Sequence, residues 1–342
     1  MTNLTPAQRR WRRFKANKRG YYSLWIFSIL FVLSLFAEVL SNDKPLVISY
    51  ENQYYFPLWQ AYPETAFGGD FETETNYRDT YVLEELILKN PANWIVFPLN
   101  PYSFDSINYD NAQPNPAPPS KDNLLGTDDR GRDVLARLIY GFRLSVLFGF
   151  ALTAIGIVIG IIAGALQGFL GGKFDLFAQR FIEIWSSMPE LYLLIIFASM
   201  FQPNIILLLA LLALFGWMGL ADYVRAEFLK GRNMDYVRAA QALGVPSITI
   251  MRRHLLPNAM TPVITFLPFR ISAAILALTS LDFLGLGLPP SEPSLGELLA
   301  QGKENISAWW LSLTTFFVLV GSLSLLIFIG EALREALDTR RG

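Results

Sequence analysis

Few residues in this chain could do covalent chemistry, and their spacing argues against it. The single histidine, His254, has no neighbouring ligand types at metal-binding spacing, so neither a metal centre nor a histidine relay is expected. Cysteine is absent, which excludes disulfides, thiolate metal sites and thiol nucleophiles and leaves the redox compartment open. The lysines of "GGKFD" near 171 and "QGKEN" near 302 lack the upstream glycine spacing and the Ser or Thr of a phosphate-binding loop. No G-x-S-x-G nucleophile motif occurs either. What remains is charge in apolar surroundings. Glu190 and Arg270 interrupt apolar runs, where an unpaired arginine costs roughly 2.5–3.5 kcal/mol. Between two apolar runs lies a basic segment, "RAAQALGVPSITIMRRHLLPN", residues 238–258. The first pair suits an ion pair or a polar pathway; the second suits docking on phosphates or on an acidic protein surface.

The elements that must carry these residues belong to a membrane. Of 342 residues, 52% are hydrophobic and 17% charged, with a mean hydropathy of +0.33 and a net charge of -1. That balance excludes a globally basic nucleic-acid binder. A helix needs roughly 20 apolar residues to cross a bilayer, and six stretches qualify: 22–40, 144–166, 181–201, 205–223, 260–284 and 309–330. Pro189 and Glu190 interrupt the third, and Pro268 and Arg270 the fifth. Tyr21, Tyr22 and Trp25 open the first span and Trp309 and Trp310 the last, as interface anchors do. Arg9, Arg10, Arg12, Arg13, Lys15, Lys18 and Arg19 precede the first span and place the N-terminus in the cytoplasm. With six spans the C-terminus is expected there too. No A-x-A pattern follows the first run, which favours a retained anchor over a cleaved signal.

The expected organisation is a basic tail (1–20), a first span (21–40), an extracytoplasmic insert with its lead-in (41–143), a five-span core (144–330) and a tail (331–342). Within the insert, "YVLEELILK" at 81–89 suits a short helix, and "NYDNAQPNPAPPS" at 108–120 reads as an extended linker. In the second span Gly156, Gly160, Gly164 and Gly168 recur every four residues on one helix face, where small residues allow close packing in lipid. The cytoplasmic loop 224–259 reads as helix, corner, helix. Val237, Ala240 and Leu243 lie near one face, and Gly244 stands where a left-handed cap belongs. Pro246 or Ser247 restarts a helix, and Pro257 with Asn258 is expected to break the chain before the fifth span. Such a loop could equally lie on the membrane surface, anchored by its cations.

The same residues resemble a family. Ala239, Ala240, Gly244, Leu256 and Pro257 match A-A-x3-G-x11-L-P, the coupling loop of permease subunits in binding-protein-dependent ABC importers. Arg238 replaces the consensus glutamate and His254 an aliphatic residue, as in the dipeptide and oligopeptide subclass. "LLGTDDRGRDVLARLIYGFRLSV" from 124, "SLDFLGLGLPPSEPSLGELLAQG" from 280 and "GEALREALDTR" from 330 resemble that subclass as well. The insert after "SNDKPL" is similar to one peptide-permease group within it.

The resemblance implies an all-α, six-span type I importer permease in the bacterial inner membrane. Arg238, Ala239, Ala240, Leu243, Gly244, Leu256 and Pro257 would form the loop that couples it to ATP hydrolysis. It further implies a second permease subunit in a heterodimer, two ATPase domains that hold ATP and Mg, and a periplasmic solute-binding protein. The implied cargo is peptides or peptide-like antibiotics such as microcin C, with no cofactor on this chain and no nucleic-acid partner. The rival reading is an ion-coupled secondary transporter or channel using Glu190, Arg270 and Asp282.

Overall fold

A computed structural model describes residues 5–109, 111 and 113–338. In chain order the elements are helices α1 (Pro6–Ala16), α2 (Lys18–Leu35) and α3 (Ala37–Leu40), then strands β1 (Val47–Tyr50), β2 (Gln53–Tyr55) and β3 (Trp94–Val96). The long helix α4 (Val134–Leu170) follows, with α5 (Gly172–Ser186), α6 (Glu190–Met200), α7 (Ile205–Gly216) and α8 (Met218–Gly231). The loop holds α9 (Asp235–Ala242) and α10 (Ser247–Thr249); α11 (Leu256–Phe283), α12 (Leu295–Glu304) and α13 (Trp309–Leu337) complete the chain. Two compact units divide it: Met1–Ser28, Ser145–Pro289 and Val320–Gly342 in the first, Ile29–Leu144 and Pro290–Leu319 in the second.

Among the described residues four helices are long and apolar enough to cross a membrane: α4, α7 continuing into α8, the run Ser247–Phe283, and α13. A fifth crossing is available if α5 and α6 act as one, bent by 64°. The expected first span differs from a single apolar helix. Lys18 and Arg19 occupy the start of α2, and the helix breaks at Phe36 before α3 resumes. The third span also differs, because Pro189 is not inside a helix but is the N-cap of α6, so Glu190 begins a new helix. Proline has no N–H to continue the ladder, and the chain turns there.

The expected break before the fifth span is absent. The last loop turn, Ile250–Leu255, is a π-helical stretch in which the Leu256 N–H donates to the Met251 carbonyl. This one-residue slip absorbs the missing donor of Pro257, and the helix runs on through Pro262 and Pro268.

The fold is mostly helical, with one departure from the all-α expectation. In the second unit β1 pairs antiparallel with β2 and with β3, giving the order β2-β1-β3, with Ile48 opposite both Tyr55 and Ile95. Ile48, Phe67, Tyr77, Val82 and Ile87 form its buried core. Phe67 takes edge-on rings from Tyr50, Tyr62 and Tyr77. The segment expected as a short helix is helical at Tyr81–Ile87, with π-type turns. The expected extended linker is docked rather than free. Asn108 donates to Asn123 at 2.8 Å, the Ala117 N–H to Thr127 Oγ1 at 2.9 Å, and the Thr127 N–H to the Ala117 carbonyl at 2.9 Å. A proline-rich run lacks donors for its own ladder, so its carbonyls are free to accept from a neighbour.

Burial pushes the Tyr77 hydroxyl up to about 12, from an ordinary value of 10.0. Its neutral form therefore favours the folded insert. The stabilisation is complete below pH 10 and is lost as pH rises from 10 towards 12. Tyr77→Phe is expected to reduce the alkaline loss of stability over that window; thermal unfolding scans at pH 8, 10 and 11.5 check it, and an unchanged alkaline slope would contradict it.

Candidate functional site

The loop expected to couple the chain to a partner is rooted in the first unit. Val237 and Ala240 on α9, Ile250 and Leu255 in the π turn, and Leu220, Val224 and Phe228 on α8 are buried in one cluster with Ala165 of α4 and Ala259 and Val263 of α11. Its corner is a Schellman motif. The Val245 N–H donates to the Ala240 carbonyl and the Gly244 N–H to that of Gln241, both at 3.0 Å, with Gly244 at φ +73°. Only glycine takes that conformation without strain. Val245 packs back on the cluster, which fixes the corner from beneath.

The outer face is the reverse. Leu243 is 84% exposed and Ile248 69%, on either side of the corner, with Arg238, Ala239, Gly244, Arg252, Arg253 and Pro257 also exposed. Leu256 is half-buried against the cluster. The sequence reading set Leu243 with Val237 and Ala240 on one face; the structure separates them. Leu243 is the C-cap of α9, and six residues on from Val237 at 3.6 per turn it lies about 120° round the helix from it, so its side chain is outside the cluster. Two large apolar side chains on a rigid corner, flanked by guanidiniums, form a surface suited to a partner groove with acidic edges.

The four glycines of α4 face the α7–α8 segment. A Cβ on Gly156 would lie 3.3 Å from the Gly216 carbonyl oxygen, on Gly160 3.0 Å from that of Trp217, on Gly164 2.3 Å from that of Ala221 and on Gly168 2.6 Å from that of Arg225. The seam is thus backbone against backbone. Asp175 of α5 holds Arg225 beside it in a bidentate ion pair at 2.5 and 2.7 Å.

Glu190 and Arg270, expected either to pair or to line a polar pathway, do not form an ion pair among the described residues. They instead line one cavity of ≈ 290 Å³, with Leu152, Thr153, Leu212, Phe215, Gly216 and the alanines of α11. The reason is local: α7 ends at Gly216, which leaves its last carbonyls without helical donors, and the Arg270 guanidinium donates to Gly216. Trp185 and Trp217 cap the Leu214 carbonyl next to it. Asp282, the third charge of the rival ion path, accepts from the Leu288 N–H at 2.8 Å across the turn that ends α11.

The second unit holds an ionic cluster that the sequence analysis did not single out. Asp128 accepts from Arg132 Nε at 2.7 Å and its carboxylate lies 3.7 Å from Arg137 Nε. Glu297 of α12 takes Arg137 at 2.5 Å and Arg132 at 3.3 Å. Arg137, fully buried, also donates to the carbonyls of Phe104 and Glu292. Burial pushes the Glu297 carboxyl upward, opposed by the two guanidiniums and by Gln301. Asp133 caps α4 through the Ala136 N–H and is held by Asn100 and Asn123 at 2.8 and 2.9 Å. The cluster ties the segment before α4 and Arg137 of α4 to the turn before α12 and to Glu297, and its visible signal was the charge-dense "DDRGRD" at 128–133.

Helices long and apolar enough to cross a membrane, with an exposed basic loop corner between them, suit a membrane transport subunit, and the comparisons show the family. Residues 156–342 match the model of the binding-protein-dependent transport system inner membrane component family, and residues 5–57 match the N-terminal transmembrane domain of oligopeptide transport permease C. The chain belongs to the first of these families, the permease subunits of ABC importers. It is 53% identical over 342 residues to the inner membrane ABC transporter permease protein YejE of Escherichia coli (strain K12), covering 100% of this chain and 99% of that protein. It is 50% identical to the peptidoglycan transport system permease protein YejE of Agrobacterium fabrum, over 98% of this chain and 93% of that one. A chain of the inward-facing MetNI methionine ABC transporter aligns with a TM-score of 0.48 at 17% identity, covering 60% of this chain and 97% of that chain. Family membership sets aside the secondary-transporter reading.

Proposed function

We propose that this chain forms half of the pathway of an ATP-driven importer for peptides or peptide-like compounds in the bacterial inner membrane. Both termini and the loop 224–259 face the cytoplasm, and the insert faces outward, where a periplasmic solute-binding protein delivers cargo. A second permease subunit supplies the other half of the pathway. Two ATPase domains bind ATP and Mg, and this chain holds no ATPase site of its own. The observation that carries the reading is the rigid loop corner, with Leu243 and Ile248 exposed on either side of Gly244 and the loop's inner face buried against α4, α8 and α11. A corner so rooted moves with the helices rather than independently of them, so ATPase closure is transmitted to the spans. Arg238, Ala239, Ala240, Leu243, Gly244, Leu256 and Pro257 build that coupling element. Peptide-type cargo is supported by the names of the matched oligopeptide permease domain and of the peptidoglycan transport relative.

Leu243→Glu tests the docking. An exposed side chain contributes little to folding, so the subunit should remain in the membrane at its normal level. A charge placed in an apolar contact should lower ATP-driven uptake in proteoliposomes by about tenfold or more. Uptake within twofold of the unsubstituted complex would remove the docking role of this corner.

A further inference from the structure

The N-terminal helix α1 is unused by the importer reading, yet its position is fixed at both ends. A capping box starts it: the Gln8 N–H donates to Thr5 Oγ1 at 3.3 Å and the Thr5 N–H to Gln8 Oε1 at 2.9 Å. Asn17 ends α1 and starts α2, its side chain accepting from the Gly20 N–H at 3.1 Å and donating to Glu335 of α13 at 2.8 Å. Phe14 is buried against Ala332 and Ala336 of α13, and Arg13 donates to the Asp338 carbonyl at 3.2 Å. Trp11 stacks on Phe14, with ring centroids 5.6 Å apart, and meets Tyr21 edge-on at 6.3 Å. Along one straight helix Trp11 and Tyr21 would be about 15 Å apart, so the corner at Asn17 folds α1 back to the level of Tyr21.

That level is where the sequence puts the membrane surface. Trp11, Tyr22 and Trp25 are 47%, 60% and 51% exposed, and such rings settle where acyl chains meet headgroups. Lys15 Nζ lies 5.4 Å from the Trp11 ring and 5.9 Å from that of Tyr21. α1 carries Arg9, Arg10, Arg12, Arg13 and Lys15, all exposed, and no acid. The acids at the end of α13 leave much of this charge in place: Asn17 engages Glu335, and Arg10, Arg12 and Lys15 enter no ion pair among the described residues. An anionic leaflet attracts cations within a Debye length, about 8 Å at physiological salt. A basic helix held at the surface feels that field, and one projecting into solvent would not. We infer that α1 is a docking surface for anionic phospholipid headgroups of the cytoplasmic leaflet. Trp11 is its apolar anchor, and Arg10 and Arg12, each about 100° round the helix from it, contact the headgroups. The inference goes beyond the importer reading and shares with it only the cytoplasmic placement of the N-terminus.

The chain has no cysteine, so Ala7→Cys, at an exposed position of α1, supplies a single thiol for a fluorophore. The labelled full chain is reconstituted in phosphatidylcholine vesicles that contain a small fraction of spin-labelled phosphatidylglycerol or, in parallel, the same fraction of spin-labelled phosphatidylcholine. Quenching of the fluorophore by each lipid is compared. At low salt the anionic lipid should quench more strongly, by about fivefold, the scale of one surface cation. Arg10→Gln/Arg12→Gln should bring the ratio of the two close to one, as should molar salt, while quenching by phosphatidylcholine stays the same and shows that α1 still lies at the surface. Arg10→Lys/Arg12→Lys keeps the charge and should keep the preference; its loss there would make the guanidiniums structural and overturn the inference. Equal quenching by the two lipids in the otherwise unsubstituted chain, or a preference that survives Arg10→Gln/Arg12→Gln, would overturn it as well. Quenching by neither lipid would place α1 off the membrane, with the same consequence.

Discussion

Asp128→Asn is expected to cost the protein about 3–5 kcal/mol of stability. The side chain of Asp128 is fully buried and accepts from the Arg130 and Arg132 N–H groups at 3.0 and 2.8 Å, besides facing both guanidiniums. Asparagine keeps the shape but removes the charge, and its amide offers donors where Arg132 and Arg137 also offer donors. Glu297 alone would then balance two buried cations. Thermal unfolding of the detergent-purified subunit, followed by tryptophan fluorescence, measures the loss. A companion Asp128→Asn/Arg137→Met protein should lose less than the sum of its single variants, because a lone buried charge is worse than none. Strictly additive losses would show that the cluster is not one interacting unit.

Gly164→Leu should prevent the folded subunit from accumulating. The first side-chain atom alone would stand 2.3 Å from the Ala221 carbonyl and 2.8 Å from the Val224 Cβ, both on a helix that cannot give way locally. Overpacking costs about 1–3 kcal/mol even where side chains can move, and here backbone must shift along the whole seam. Gly219→Ala is the control. It lies on the neighbouring α8 with nothing within 4 Å of an added Cβ, and alanine favours helix by about 1 kcal/mol over glycine. The amount of monodisperse subunit on size exclusion reads both. Equal yields for the two variants would mean that the α4 seam is not a close contact.

Those two sites differ in how they were legible. The four-residue glycine period of α4 is a local pattern, and helical geometry alone puts it on one face; which helix it meets is a long-range fact, set by the run of carbonyls from Gly216 to Arg225. The coupling corner was legible for the same local reason. Gly244 sits at φ +73° because a helix ending in that position needs a residue without a Cβ penalty. The exposure of Leu243 follows from the same local geometry, since six residues on from Val237 at 3.6 per turn it lies about 120° round the helix from the buried face on which the sequence reading had set it.

Sequence by itself determined the class: apolar runs too long for a soluble domain, cations before the first of them, a loop spacing shared with a permease family, and no phosphate-binding or metal motif. These follow from composition and from interactions within a few residues. Tertiary structure alone decided where the charges go. Sequence left Glu190 and Arg270 as an ion pair or a polar pathway; in the structure Pro189 caps a new helix that begins at Glu190, and Arg270 finds the carbonyl end of α7. Likewise nothing local to Arg132 and Arg137 points to Glu297, yet α12, some 160 positions away, buries them with it. A charge takes whichever partner removes most of its desolvation cost, and that partner is found in space rather than along the chain.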